Sequence, residues 1–246
     1  DTEILMELFS CYINACRVLA LDEEKARKAA CVMERFPKLK IGRHGQLMEW
    51  MEDYAEPEPG HRHISHVYGV YPGSSISYER TGELMDAAKV TLERRLANGG
   101  GHTGWSRAWI IGLWAHFREG RKAYENLQAI LTMGTYPNLM DNHPLGEHDY
   151  VFQIDGNLGA SAAVLEMLAY SRPDRLELLP AVTAETAGGR LSGMGLRSGG
   201  TLDMEWKDGK VLWYRIVPGR DTELVIWVNG KMEEVKLQDG VEYCGK

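Results

Sequence analysis

Residues 45–73 read GQLMEWMEDYAEPEPGHRHISHVYGVYPG and interrupt a largely helical pattern with a dense run of polar and aromatic side chains. Carboxylates are concentrated in the first half of this stretch, and histidines accompany Arg62 in the second half. Trp50 and Tyr54 stand among the carboxylates. Because these groups combine hydrogen-bond donors and acceptors with aromatic faces, they suit a polyhydroxylated ligand. The stretch therefore predicts a polar pocket lined by aromatic rings.

The composition of the chain limits its function class. The 246 residues are 44% hydrophobic and 26% charged, which is typical of a globular protein of one or two domains. The net charge of −7 and the lack of a basic run disfavour nucleic acid as a partner. No apolar run approaches the roughly 20 residues needed to cross a bilayer, so we expect no membrane association. The sequence assigns no cellular compartment.

The cysteine pattern favours free thiols. The four cysteines form no CxxC pair and have no metal-ligand spacing with histidine. Three of them, Cys11, Cys16 and Cys31, lie in apolar helical patterns. We therefore expect buried free thiols rather than disulfides. Separately, we predict no cofactor.

Helical periodicity dominates the chain up to residue 172, and strand alternation follows. Helices are predicted over residues 2–21, 23–35, 78–96, 103–119, 122–133 and 158–170, with a short helix over 46–53. After Pro173, short alternating runs are separated by Asp208-Gly209, Asn229-Gly230 and similar hairpin-turn pairs. The sequence predicts a mainly α protein with a small antiparallel β appendage, divided into domains 1–172 and 173–246.

Glu49 and Asp53 are four residues apart, which would place both carboxylates on one face of the short predicted helix. A solvated acidic face accounts for such a pair as well as a binding site does. Trp50, beside Glu49, favours a binding site because an indole between acids suits a sugar ring.

The histidines of the same stretch have two interpretations. His61, His63 and His66 could bind a metal ion together, but alternating residues in a loop seldom converge on one ion. Arg62 and His63 better suit hydrogen bonds to sugar hydroxyls. We predict no metal.

A second polar segment begins with Gly99-Gly100-Gly101 and continues to His102 and Trp105. Glycines before a helix suggest a phosphate loop, but the lysine of that motif and a preceding strand are missing. A turn that glycine permits, and that directs His102 and Trp105 into a cavity, is the preferred interpretation.

The third segment, residues 138–157, reads NLMDNHPLGEHDYVFQIDGN and places Asp155 between apolar residues and a predicted helix. Such an acid can stabilise the helix through its dipole. It can equally serve acid/base chemistry, because its surroundings would set its ionisation. The local sequence does not separate the two.

Together these segments resemble glycoside hydrolase family 95, best known for inverting α-L-fucosidases. The strings EPEPGHRHISH and FQIDGN are long and uncommon, and the resemblance extends over nearly the whole chain. The matching stretches are Gly45–Gly73, Gly101–Trp109, Asn138–Pro144, Phe152–Gly159, Leu178–Pro180 and Gly195–Arg197. The resemblance implies the C-terminal part of an (α/α)6 barrel followed by a short antiparallel β domain.

The resemblance also implies an activity, namely hydrolysis of terminal α-L-fucose, most often α-1,2-linked, from oligosaccharides or glycans. Asp155 matches the aspartate that polarises a water-positioning asparagine, and is the expected catalytic residue. Arg62 and His63 match residues that contact the sugar. Further residues are expected to line the pocket: Glu49, Trp50, His66, His102, Trp105, Asn142, Gln153 and Asn157.

The chain departs from the family pattern in two ways. The general-acid glutamate and the catalytic asparagine pair match nothing here, so we expect them upstream of Asp1, and we expect the isolated fragment to be inactive. Residues 146–150 resemble an insertion. The expected partners are a fucosylated glycan and a chain or segment that completes the barrel. Alternatives are a non-catalytic carbohydrate-binding or assembly fragment, an α-L-galactosidase, and another (α/α)6 phosphorylase or lyase.

Overall fold

The computed structural model describes residues 1–144 and 150–246. It divides the chain into two compact units, Asp1–His102 and Thr103–Lys246. The predicted domain boundary at residue 172 falls within the second unit and stays a prediction. The insertion-like residues 146–149 lie outside the described residues.

The first unit contains three long helices, α1 (Thr2–Leu19), α2 (Glu23–Met33) and α3 (Tyr78–Ala97), and α1 packs against α2. An irregular connection of residues 34–77 links α2 to α3 and contains a 3-10 helix at Ser65–Val67. The connection has its own buried apolar side chains, which are Leu47, Ile64, Val67, Val70 and Ile76. Its conformation is therefore fixed by packing and is not that of a surface loop.

The predicted short helix over residues 46–53 is wrong, because the backbone donors of this segment bind elsewhere. The N–H of Leu47 donates to the carbonyl of Ala87 (3.1 Å) and to Thr91 Oγ1 (2.9 Å), both on α3. The N–H of Met48 donates to the carbonyl of Lys40 (2.9 Å). Contacts with distant parts of the chain thus replace the local bonds of a helix.

Two carboxylates of α1 hold the end of the connection. Glu3 is 5% exposed and accepts a hydrogen bond from the N–H of Gly69. Glu7 accepts one from the N–H of Ser74 (3.2 Å). Since the two acids are four residues apart, one helix face supplies both acceptors.

The second unit begins with three helices, α4 (Gly104–His116), α5 (Gly120–Met133) and α6 (Ile154–Leu168). α4 packs against both α5 and α6, and its Trp114 is 2% exposed. Thr103 and Ser106 form a capping box at its start. Between α5 and α6, strands β1 (Asn142–Pro144) and β2 (Tyr150–Phe152) pair antiparallel where no regular structure was expected.

Eight further strands form two four-stranded sheets with the orders β10-β7-β6-β5 and β3-β4-β8-β9. Their bounds are β3 Ala169–Ser171, β4 Arg175–Leu178, β5 Gly189–Gly195, β6 Thr201–Lys207, β7 Lys210–Val217, β8 Thr222–Val228, β9 Lys231–Leu237 and β10 Tyr243–Gly245. The predicted antiparallel appendage needs one correction, because β4 pairs parallel with β8. A long connection separates these two strands in sequence, which permits the parallel pairing.

The hairpin turns predicted at Asp208-Gly209 and Asn229-Gly230 are confirmed. Asp208 and Gly209 both have positive φ (53° and 70°) between β6 and β7, and Asn229 and Gly230 (51° and 76°) connect β8 to β9. Two successive positive φ angles match the twist of a tight hairpin. Apolar residues from both sheets form one buried core, which includes Leu176, Leu202, Ile216 and Ile226.

The cysteine prediction holds in part. All four cysteines are free, and Cys16 is buried. Burial was wrong for Cys11 and Cys31, which are exposed on their helices, and Cys244 is also exposed. Within residues 1–144 and 150–246, no helix combines the length and hydropathy that a bilayer span requires.

Candidate functional site

Two arginines near the end of α3 bind the acidic half of the 45–73 stretch. Arg95 is 5% exposed; its Nη2 donates to Glu49 Oε2 (2.8 Å) and its Nη1 donates to the carbonyl of Glu58 (3.1 Å). Arg94 Nη2 donates to Glu56 Oε2 (2.8 Å). Because α3 is rigid, these bonds fix the carboxylates in space. The sequence analysis missed Arg95, since its partners lie more than 35 residues away along the chain.

Asp53 has different partners from Glu49, so the two carboxylates do not form the pair that the sequence predicted. Asp53 Oδ2 accepts from the backbone N–H (2.8 Å) and Nε (2.9 Å) of Arg43, and Gln46 Nε2 donates to its other oxygen (3.2 Å). Hydrogen bonds from Arg43 hold the pKa of Asp53 below its usual value. The expected shared helix face is absent because no helix forms there.

His66 is an uncharged residue at neutral pH. Its side chain is 7% exposed, and its Nδ1 lies 3.9 Å from Glu49 Oε2. Burial, with the neighbouring charge of Arg95, lowers the pKa of His66 to about 3. Although Glu49 favours the protonated ring, desolvation outweighs this attraction. His66 can therefore donate and accept hydrogen bonds without adding positive charge.

His63 is exposed, and the neighbouring Arg62 is half-buried. The His63 ring stacks on His61 (centroids 4.9 Å apart), and His61 Nδ1 lies 3.1 Å from Glu58 Oε2. Partial burial, followed by the charges of Arg62 and His61, lowers the pKa of His63. A neutral, accessible imidazole beside a guanidinium can bind a sugar hydroxyl.

Two cavities of the first unit share Glu49 and Trp50 in their walls. One holds about 340 Å³ and is also lined by Tyr54, His61 and Arg95. The other holds about 230 Å³ and is also lined by His66. The indole of Trp50 is 65% exposed and so is free to meet a ligand face. Arg62 and His63 line neither cavity.

The glycines near the end of α3 permit a close approach of two segments. Gly99 and Gly101 have positive φ (88° and 79°), so the turn requires glycine. A Cβ at Gly60 would lie 1.9 Å from the carbonyl oxygen of Asn98. These contacts support a glycine-dependent turn, after which His102 is exposed. That His102 faces a cavity stays a prediction.

In the second unit, Asp155 lies in the first turn of α6 and is exposed. The two amide residues beside it hold the backbone. Gln153 Oε1 accepts from the N–H of Trp105 (3.4 Å), in the first turn of α4. Asn157 accepts from the N–H of Asp141 (2.8 Å) and donates to the carbonyl of Leu139 (2.8 Å). Both amides thus support the structure around Asp155.

The remaining predicted residues of this unit lie close to the same helix starts. Trp105 is half-buried and stacks in a tilted arrangement with Trp109 (centroids 6.5 Å apart). Asn142 is half-buried in β1, opposite Phe152. A direct role in ligand binding for Trp105, Asn142, Gln153 and Asn157 stays a prediction.

Asp141 is a second residue that the sequence analysis missed. It is 0% exposed, and among the described residues neither carboxylate oxygen has a hydrogen-bond partner. Burial raises the pKa of Asp141, the charge of His143 opposes this, and Asp155 adds to it. The sequence signal was the pair of glycines that open α4 and α6, Gly104 and Gly156.

A metal site finds no support in the described parts of the chain. No group of three His, Cys, Asp or Glu side chains there is arranged to bind an ion. The histidines of the 45–73 stretch instead lie beside carboxylates or one another.

Residues 1–168 match the glycosyl hydrolase family 95 catalytic domain. The chain belongs to this family. Every candidate residue of the two units lies within the matched range, which ends at the last residue of α6. The resemblance inferred from EPEPGHRHISH and FQIDGN is thereby confirmed.

Curated relatives carry fucosidase names. The chain is 33% identical to alpha-L-fucosidase 2 of Arabidopsis thaliana over 225 residues, which cover 86% of this chain and 26% of the relative. It is 28% identical to probable alpha-fucosidase A of Aspergillus niger (85% of this chain, 28% of the relative). The Aspergillus oryzae protein of the same name is 30% identical (71% and 27%). The chain thus spans about a quarter of the length of these relatives.

Proposed function

We propose that this chain forms the C-terminal part of an (α/α)6 catalytic barrel and its β domain in an inverting α-L-fucosidase. The substrate is a terminal α-L-fucose, 1,2-linked in an oligosaccharide or glycan. The observation that carries the proposal is the family match over residues 1–168, which includes Asp155, Arg62 and His63. The fucosidase names of the relatives support the choice of sugar.

Exposed apolar surface supports a barrel that further helices complete. Residues on α1 that a helix neighbour would cover are Ile4, Leu5, Leu8, Val18 and Leu19, each at least 38% exposed. Around the start of α6 the corresponding residues are Val151, Phe152, Ile154 and Leu158, each at least 43% exposed. Exposure of such patches to water is energetically unfavourable, and they are typical of surfaces that bind protein.

The role of Asp155 follows from its place at the helix start. The positive end of the α6 dipole stabilises a carboxylate there, and its exposure lets it meet groups outside this unit. In an inverting glycosidase one group protonates the leaving oxygen and another activates water. We infer that Asp155 accepts a hydrogen bond from an asparagine amide, which then presents its oxygen to the attacking water.

The 45–73 stretch supplies the sugar contacts. Arg62 donates hydrogen bonds, and the neutral imidazoles of His63 and His66 can donate or accept them. Trp50 offers an exposed indole face to the apolar side of fucose. Glu49, held by Arg95, is a fixed acceptor.

Replacing Asp155 tests the mechanism. In the full-length protein that contains this chain, Asp155→Asn should lower kcat on 2′-fucosyllactose by about 10²–10⁴-fold, with the fold preserved. Asp208→Asn, in the exposed β6–β7 turn, is the matched control and should retain the activity. An unchanged kcat for Asp155→Asn would remove this residue from the mechanism.

Assays on the 246-residue chain alone distinguish catalysis from sugar binding. Since none of its residues matches the family's general acid, we expect no robust turnover of 2′-fucosyllactose, whereas calorimetry should detect binding of L-fucose. Binding without turnover, even in the full-length protein, would favour the alternative of a carbohydrate-binding fragment, which the exposed Trp50 also suits. Faster hydrolysis of α-L-galactosides than of α-L-fucosides would instead identify an α-L-galactosidase.

A further inference from the structure

Two hydrogen bonds connect the backbone of Asp141 to the residues two positions before and two positions after Asp155. The N–H of Gln153 donates to the carbonyl of Asp141 (3.4 Å), and the N–H of Asp141 donates to Asn157 Oδ1 (2.8 Å). Asp155 therefore lies between two residues that are each hydrogen-bonded to Asp141. The isolated bridge between Thr135 and Asp141 ties this residue to the end of α5.

The carboxylate of Asp141 occupies a space that two glycines leave open. A Cβ at Gly104 would lie 1.6 Å from Asp141 Oδ1, and a Cβ at Gly156 would lie 2.4 Å from its Cγ. Gly104 is the first residue of α4, and Gly156 is in the first turn of α6. The side chain therefore lies between the starts of two packed helices.

The charges around Asp141 explain how a buried acid persists there. Two helix N-termini present positive dipole ends to it, which favours a carboxylate. The titratable groups that act on it are His143 of β1 and Asp155 of α6, with opposite effects. Since both oxygens lack partners among the described residues, a role in hydrogen bonding within this unit does not account for the acid.

We propose that Asp141 is the positioning residue of Asp155: its carboxylate, seated between Gly104 and Gly156, fixes the first turn of α6 and acts on Asp155 by charge. The inference rests on the proposed function, in which Asp155 is the catalytic aspartate. It also gives both motif glycines a physical reason, because any larger side chain would displace Asp141.

A mutant cycle on the 246-residue chain tests the seating. Gly156→Ala should lower the Tm by roughly 4–10 °C, because the added methyl overlaps the carboxylate. In an Asp141→Ala background the same change should lower the Tm by no more than about 2 °C. Gly82→Ala, at a helical glycine with no atom within 4 Å of the added Cβ, is the matched control and should not lower the Tm. Equal losses from Gly156→Ala in both backgrounds would overturn the seating.

A titration tests the action by charge, which a purely structural role would not produce. Carbon-13 NMR of the aspartate carboxylates should show that Asp155→Asn lowers the pKa of Asp141, because a like charge is removed. Asp174→Asn, after β3, is the control and should leave the pKa of Asp141 unchanged. An unchanged pKa of Asp141 in Asp155→Asn would overturn the proposed interaction.

Kinetic measurements on the full-length protein test whether Asp141 contributes to catalysis. Asp141→Asn keeps the shape of the side chain but not its charge, and should lower kcat about 10-fold or more with an altered pH profile and little change in KM. If the cycle and the titration succeed but neither the parent protein nor its variants hydrolyse fucosides, the proposed function fails and the placement of Asp141 stands. If the parent is active and Asp141→Asn retains its kcat and pH profile, the positioning role fails alone.

Discussion

Two acidic residues of this chain, Glu49 in the first unit and Asp141 in the second, are held in contrasting ways. In the first unit, Glu49 is bound by Arg95 at 2.8 Å, and hydrogen bonds from Arg43 lower the pKa of Asp53. In the second unit, Asp141 is fully buried between two glycines, without a hydrogen-bond partner among the described residues. One arrangement depends on paired charges and the other on shape and helix dipoles.

The difference indicates what each of the two positions requires of its carboxylate. A binding surface must keep several acceptors ionised and fixed while water reaches them, which arginine partners achieve. A residue that positions a neighbour needs a constant place, which burial provides, although desolvation opposes its charge. Glu3 is a buried acid in the first unit as well, and burial raises its pKa to about 7.

The largest expected effect comes from breaking the ion pairs of the first unit. Arg95→Met should lower the free energy of unfolding by about 3–5 kcal/mol, since it leaves Glu49 without its buried donor. Urea denaturation measures this change. Lys236→Met, which removes a fully exposed pair with Glu223, should leave the denaturation midpoint unchanged. Equal effects of the two variants would mean that burial does not distinguish these pairs.

The second-largest effect is expected at Glu3, the buried acid of the first unit. Because the pKa of Glu3 is raised to about 7 from 4.5, its stabilising contribution is complete below pH 4.5 and is lost as pH rises through 7. Glu3→Gln cannot ionise, so it should gain about 3 kcal/mol relative to the parent between pH 4.5 and 8. Thermal or urea unfolding across this pH range measures the gain.

The control for Glu3 is its neighbour on the same helix face. Glu7→Gln removes an acid that binds the same connection at Ser74 but is not fully buried. This variant separates the loss of a bond to the connection from the effect of burial. A difference between Glu3→Gln and the parent that does not change with pH would show that burial does not raise the pKa of Glu3.

The third-largest effect is expected at Gly104 of α4, one of the two glycines that leave space for the Asp141 carboxylate. Gly104→Ala should lower the free energy of unfolding by about 1–3 kcal/mol, because its Cβ would overlap Asp141 Oδ1. Gly209 is not a suitable control because its φ is positive, whereas Gly82 is helical and open. Urea denaturation of Gly104→Ala is compared with that of Gly82→Ala. Similar denaturation midpoints for the two variants would refute the overlap.

The smallest effect on stability is expected at Trp50, on the exposed surface that we propose binds the sugar. Trp50→Ala should leave the Tm within about 1 °C of the parent, because its indole is 65% exposed. It should weaken L-fucose binding by roughly 3–10-fold in calorimetry. Met232→Ala, at a residue that is 57% exposed in the second unit, should change neither quantity. Unaltered fucose affinity in Trp50→Ala would exclude the indole from the sugar site.

Sequence patterns predicted the helices and hairpins because their determinants are local. Alternation and Asn229-Gly230 were enough to place β8 and β9, since the turn conformation belongs to those two residues. Residues 46–53 failed for the opposite reason. The side-chain spacing of this segment suits a helix, but the N–H of Leu47 donates to Ala87 and Thr91 of α3 and not to a residue within the segment.

The candidate site was predictable as a set of motifs but not as a set of contacts. Trp50, Arg62 and His63 stood out because their residue types suit a sugar wherever the chain places them. The neutral state of His66 could not be read from the sequence, since it depends on burial beside Arg95. Gln153 and Asn157, expected in a pocket wall, were found to hold backbone groups.

The sequence by itself determined the order of helices α1 to α6, the glycine-dependent turns and the membership in glycosyl hydrolase family 95. Only the tertiary structure decided which acids are paired and which are buried. Glu49 meets Arg95 across 46 residues, and Asp141 meets glycines from two different helices. Electrostatic energy and steric overlap depend on distance through space, whereas sequence motifs record only distance along the chain.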